Sequence, residues 1–204
     1  AQRAPQIAPW TGYAVLVMSK TGKRRVEVGP ATVLLDYDES LEVLALSTGV
    51  PKGRARGIET PYLRVAGNRV ADRVEVETLD HVRLELDLAY RVDFEGDPLR
   101  WFAVADYVQL VCDHVRSLLK GHARGRKVEE LYATAADQIR DVVLGAAVDG
   151  ARPGLAFPAN GMRVIDVEVD RVALGDPAIK ALLEEAQHQV CLLYTSPSPR
   201  DRTR

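Results

Sequence analysis

The chain has 204 residues, of which 47% are hydrophobic and 27% charged, with a formal net charge of −2. This is enough apolar material for one sizeable core, and the near-balance of charge excludes a whole-chain polycationic footprint for nucleic acid or a membrane surface. No apolar run approaches the ~18 residues of a membrane span and no signal peptide opens the chain. Two cysteines without metal or disulfide spacing point to a reducing compartment, hence a cytoplasmic location.

Residues 1–9 are rich in Pro and Ala, begin without methionine, and read as a linker into a fragment of a longer protein. Tyr13, Val15 and Val17 alternate, Lys20-Thr21-Gly22-Lys23 supplies turn chemistry, and Val26 and Val28 resume the alternation, which predicts a hairpin. Gly29-Pro30 ends it, Thr32–Leu35 and Leu41–Leu46 are further short strands, and 48–60 (TGVPKGRARGIET) reads as a flexible basic loop. Tyr62, Leu63 and Val65 predict another strand before the Gly67-Asn68 turn.

The segment from Arg69 to Glu95 is the strongest signal in the chain. Val82, Leu84, Leu86, Leu88, Tyr90, Val92 and Phe94 occupy every even position, with Arg83, Glu85, Asp87, Ala89, Arg91, Asp93 and Glu95 between them. Such alternation predicts a long strand buried on one face and wet on the other. Val74, Val76 and Thr78 keep the same parity before Leu79-Asp80-His81, which predicts a hairpin with its partner strand at 69–78. A one-residue slip would turn the whole apolar row to water, so the register is strongly specified.

After Glu95 the period changes. Asp97-Pro98 is a helix start, with Trp101 and Phe102 as buried anchors. Asp106 caps a second helix with Val108, Val111, Cys112, Val115 and Leu119 on one face, closed by Gly121. A third helix is expected over 129–144, with Leu131, Ala135, Ile139, Val142 and Val143 inward. A Gly/Pro-rich loop runs to the Asn160-Gly161 turn, and Ile165, Val167 and Val169 then predict a strand with Asp166, Glu168 and Asp170 outward. Gly175-Asp176-Pro177 repeats the helix-start device. Ile179, Leu183, Ala186 and Val190 follow at spacings of four, three and four, the opening of a coiled-coil seam, where an oligomer interface would lie, or of an ordinary amphipathic helix. The last fourteen residues, CLLYTSPSPRDRTR, have no such period, resemble a translated sequencing-adapter read-through, with a natural disordered tail as the alternative, and are set aside from the fold.

No catalytic or metal constellation emerges. His81, His114, His122 and His188 sit on separate elements without an HxxxH or HxxE pair. Ser19, Ser40, Ser47 and Ser117 lack a nucleophile elbow, and the glycines of 145–154 do not join a strand to a helix as a phosphate cradle does. The basic groups (Lys20, Lys23, Arg24, Arg25; Lys52, Arg54, Arg56; Lys120, Arg124, Arg126, Lys127) have no interleaved aromatics, which argues against an RNA site. The residues therefore predict an α+β fold, an antiparallel sheet packed with helices and ending in the start of a coiled-coil helix. They predict no enzyme, no cofactor and no small-molecule substrate.

Strands, then helices, then a strand leading into a coiled-coil helix is an order that resembles the SPFH (band-7, stomatin/prohibitin-like) domains. The strings VEVGPATVLL, LEVLALSTGVPK, VEVETLDHVRLELDLAYRVDFE, WFAVADYVQLVCD and FPANGMRVIDVEV are similar, in order, to the shoulder region of the major vault protein family. That resemblance implies a shoulder domain over 10–175 and the start of a cap helix over 176–190. The implied function is a self-assembly module of a vault-like ribonucleoprotein shell. It would join wall repeats to a cap helix, many copies side by side, without an RNA site of its own. Wall repeats themselves are expected to be missing from this chain. The alternative is a stomatin- or prohibitin-like scaffold on a membrane.

Overall fold

In the computed structural model, residues 5–176, 178, 179, 181, 182 and 185 are described, Arg54 and Arg56 by their backbone only. The alternating segment forms the expected hairpin. Strand β9 is Asn68–Glu77 and β10 is Arg83–Phe94, paired antiparallel with Leu86 opposite Val74 and Leu84 opposite Val76. The even row is inside: Leu84, Leu86, Leu88, Tyr90 and Val92 are all buried. Each aliphatic side chain so removed from water contributes about 1.5–3 kcal/mol. His81 takes a positive φ in the turn, whose Thr78 hydroxyl donates to the Asp80 carboxylate.

Among the described residues, eight strands precede this pair. They are β1 (Gln6–Ile7), β2 (Tyr13–Ser19), β3 (Arg24–Val28), β4 (Val33–Leu34), β5 (Glu39–Leu41), β6 (Leu44–Thr48), β7 (Gly53–Thr60) and β8 (Leu63–Arg64). β2 is the centre of a small antiparallel sheet between β3 and β5, with β8 also paired to it, and Ala14, Val15, Leu16 and Val17 are fully buried. Gln6–Ile7, in the stretch read as linker, pairs with β4. Two expectations fail here. The single strand over Leu41–Leu46 is two strands, since β5 pairs with β2 while β6 pairs with β7. The basic loop over 48–60 is mostly β7, an eight-residue strand. β7 buries no apolar row (Ile58 is exposed) and is held by backbone pairing, so it carries no periodicity to detect.

Four helices follow: α1 (Pro98–Trp101), α2 (Tyr107–Ala123), α3 (Val128–Ala133) and α4 (Ala135–Leu144). Asp97 and Asp106 cap as expected, accepting from the Leu99 and Gln109 N–H groups at 3.0 Å. α2 runs past Gly121 because Ala123, four residues after Leu119, is buried against the core, which outweighs the ~1 kcal/mol helix penalty of glycine. The helix expected over 129–144 is broken at Thr134, whose backbone leaves the helical region (φ −129°, ψ 28°) while its hydroxyl donates to the Glu130 carbonyl at 3.1 Å. Such local hydroxyl bonds compete with the helical ladder.

The chain returns as β11 (Leu155–Phe157) and β12 (Met162–Leu174), completing a four-stranded antiparallel sheet in the order β11-β12-β10-β9. α2 packs on β9 and α4 on β12, both on one face. β12 is far longer than the expected 165–169 and changes parity twice. Val92 lies opposite Val164 and Arg91 opposite Asp166, while Leu88 lies opposite Val169 and Asp87 opposite Arg171. Two bulges thus put Met162 and Val164, then Val167 and Val169, then Val172 and Leu174 on one face. Ile165, expected inside, is the extra residue of the first bulge and is exposed. At the β11–β12 turn, Gly161 has φ +67°, and an added Cβ would collide with the Glu95 carbonyl.

Candidate functional site at the joint between the two β units

Strands β2, β6 and β8 meet the sheet-and-helix unit in a shared core, in which Ala14, Leu16, Leu44 and Leu63 cluster with Leu86, Val111 and Ile139, while Val17, Val33 and Leu35 form a smaller cluster apart from it. Two polar contacts reinforce that meeting. At one, the Asp106 carboxylate accepts from the Ser47 N–H at 3.1 Å and from its hydroxyl at 2.6 Å, in addition to capping α2. At the other, Asp72 on β9 accepts from Arg116 on α2 at 2.6 and 2.8 Å and from the Lys52 N–H at 2.8 Å. Arg116 in turn donates to the Lys52 carbonyl at 2.9 Å. The Asp72 side chain is 0% exposed and that of Arg116 20%. Cys112 lies beside this pair, where burial, and then the Asp72 carboxylate, push its thiol pKa well up. It is a packed side chain rather than a nucleophile.

The open face of the sheet carries an ion ladder. Asp87 accepts from Arg73 at 2.6 Å and from Arg171 at 2.8 Å, and Arg171 reaches Glu85 at 3.4 Å. Arg69 bridges Glu168 and Asp170, and Arg163 holds Glu95. Ala89, opposite Ala71 and Glu168 on this same face, is 1% exposed. At the hairpin turn, the Asp80 carboxylate accepts from the Val128 N–H at 3.1 Å and so caps α3 from another element.

Several of these carboxylates are held below their ordinary range. For Asp87 the cause is Arg73, then Arg171. For Glu39 on β5 it is Arg25 on β3, which donates to it at 2.8 Å and holds the group at about 2. At Asp80, burial pushes upward but the Thr78 hydroxyl and the Val128 N–H outweigh it. Each folded pKa lies below the unfolded one, so the stabilisation is complete above the ordinary carboxylate pKa of about 4 and is lost as pH falls through the lowered folded values. Melting temperature measured from pH 6 down to pH 2 is expected to fall below pH 4.5, and Asp87→Asn is expected to flatten that slope.

Of the expected seam, Ile179 is helical, half-buried and packed against the core, while Leu183, Ala186 and Val190 lie outside the described residues. The set-aside segment 191–204 also lies outside them. The joint residues Ser47, Asp72, Asp106 and Arg116 were not anticipated, although Asp72 stands on the inward parity of β9 between Val70 and Val74. A lone carboxylate in an apolar row was the available signal.

The arrangement defines a structural joint, a small β unit and a larger α+β unit locked through shared core and buried polar contacts. Comparison with known families divides the chain at the same place. The shoulder-domain family model of the major vault protein matches residues 66–176, and the Major Vault Protein Repeat domain model matches 14–63. The chain belongs to the major vault protein family, of which it carries the shoulder region. It is 33% identical over 192 residues to a major vault protein of Mus musculus (85% of this chain, 22% of that protein). It is 34% identical over 170 residues to that of Gallus gallus (80% and 20%) and 30% over 171 residues to major vault protein beta of Dictyostelium discoideum (82% and 20%). The chain thus spans about a fifth of the length of these relatives. The match at 14–63 corrects the expectation that wall repeats are missing. The membrane-scaffold alternative finds no support in these matches, and no helix among the described residues is long and apolar enough to cross a membrane.

Proposed function

We propose that this chain is the wall-to-cap joint of a self-assembling, vault-like ribonucleoprotein shell in the cytoplasm. The observation that carries the reading is the joint itself: a repeat-family unit and a shoulder-family unit share a core and the polar contacts at Asp106 and Asp72. In this reading the shoulder has an SPFH-like organisation, and 176–190 opens the cap helix, with Ile179, Leu183, Ala186 and Val190 as its seam. Copies of the complete protein pack side by side, and the role is structural rather than enzymatic.

Negative-stain imaging of the complete protein tests this, with hollow barrel-shaped particles as the expected result. Dispersed monomers under the same conditions would sink the shell reading. The chain by itself is expected to sediment as a monomer or to associate weakly, because a seam of about two heptads is marginal. A stable large ring of residues 1–190 would shift the assembly energy from the cap helix to the sheet.

A further inference from the structure

β6 and β7 form a two-stranded ribbon that pairs with no other strand among the described residues. An isolated ribbon of two strands is marginal in water, so something else must hold it. Its base is held by apolar contact: Leu44 is buried and Leu46 packs against the core. Ser47, next to it, is tied to Asp106 and Gln109. The far end has no such support, because Gly49, Val50 and Pro51 are all exposed.

What meets the far end is the ion pair of the shoulder. Asp72 accepts the Lys52 N–H and Arg116 donates to the Lys52 carbonyl, while the two side chains bond each other. One acceptor and one donor therefore engage both backbone polar groups of a single residue. The grip reads main chain, so it does not depend on the lysine side chain. It is also well sheltered, since the carboxylate has no exposed surface.

We propose that Asp72 and Arg116 form a latch that fastens the β6–β7 ribbon of the repeat unit onto the shoulder. Closed, the latch holds the far end of the ribbon against the shoulder. Opened, it leaves the base of the ribbon held at Leu44, Leu46 and Ser47 and frees its tip. Asp72 and Arg116 are then positioning residues of the joint. Their importance to a shell rests on the function proposed above, whereas the latch itself is read in this chain alone.

Amide hydrogen exchange followed by mass spectrometry tests it. Asp72→Leu with Arg116→Met removes both charges together and leaves no orphaned buried ion, so the fold is expected to survive. Amides of β7 are expected to exchange about tenfold faster or more, with β10 and β12 unchanged, as local opening requires. Arg116→Lys retains a cation for Asp72 but loses the planar fork that reaches both partners, and is expected to loosen β7 in the same selective way. Lys52→Ala is expected to leave β7 at its original rate. The latch is overturned if β7 keeps its original rate in either folded latch variant, if every strand speeds up alike, or if Lys52→Ala loosens β7 as much as Arg116→Lys does. A failure here leaves the imaging test untouched, and dispersed particles in imaging leave the exchange result standing.

Discussion

Leu86→Asp is expected to abolish the cooperative fold. Leu86 lies at mid-strand on β10, 2% exposed, opposite Val74 on one neighbour and Val172 on the other. A carboxylate there has no cation within its apolar row, and an unpaired buried charge costs several kcal/mol beyond the lost leucine burial. The sum rivals the whole stability of a domain this size. Thermal unfolding followed by circular dichroism should show no transition. Asp87→Leu, one residue away, is the control. It faces the ion ladder and loses the contacts to Arg73 and Arg171, partly exposed pairs worth about 1 kcal/mol or less each. Equal damage from both changes would mean that the open face is itself covered, and equal tolerance would refute the placement of β10.

Arg116→Met is expected to be the most damaging change at the joint. It strands the Asp72 carboxylate, which has no exposed surface and keeps the Lys52 N–H but no cation among its hydrogen-bond partners. Breaking a buried pair from one side costs about 3–5 kcal/mol, a fall of about 10 °C in melting temperature for a chain of this length. Adding Asp72→Leu to Arg116→Met is expected to recover much of that loss, because the orphaned charge is then gone. A melting temperature unchanged by Arg116→Met would show that water reaches Asp72 in solution.

The two strands of the central hairpin were legible because each buries one face, and a period of two survives in the sequence wherever burial is one-sided. β12 was legible only in part. Its apolar residues, Met162, Val164, Val167, Val169, Val172 and Leu174, occupy even, then odd, then even positions, and a single-parity reading stops at each bulge. β7 left no trace, since its strand conformation comes from backbone pairing with β6. Thr134 likewise breaks a helix whose apolar spacing runs on unchanged, through one hydroxyl bond that periodicity cannot register.

The sequence by itself determined the class of fold, the register of the central hairpin and the capped starts of α1 and α2. It also carried a family likeness that the shoulder and repeat matches uphold. All of these depend on neighbours within a few residues or on a repeated pattern of burial. Only the tertiary structure decided that Asp80 caps α3 from 48 residues away, that Asp106 holds Ser47, and that Asp72 and Arg116 together grip the backbone of Lys52. Each such contact joins a side chain to a main-chain or polar group brought close by packing alone. Main-chain groups are the same at every position, so the sequence held nothing to mark Lys52 as the partner.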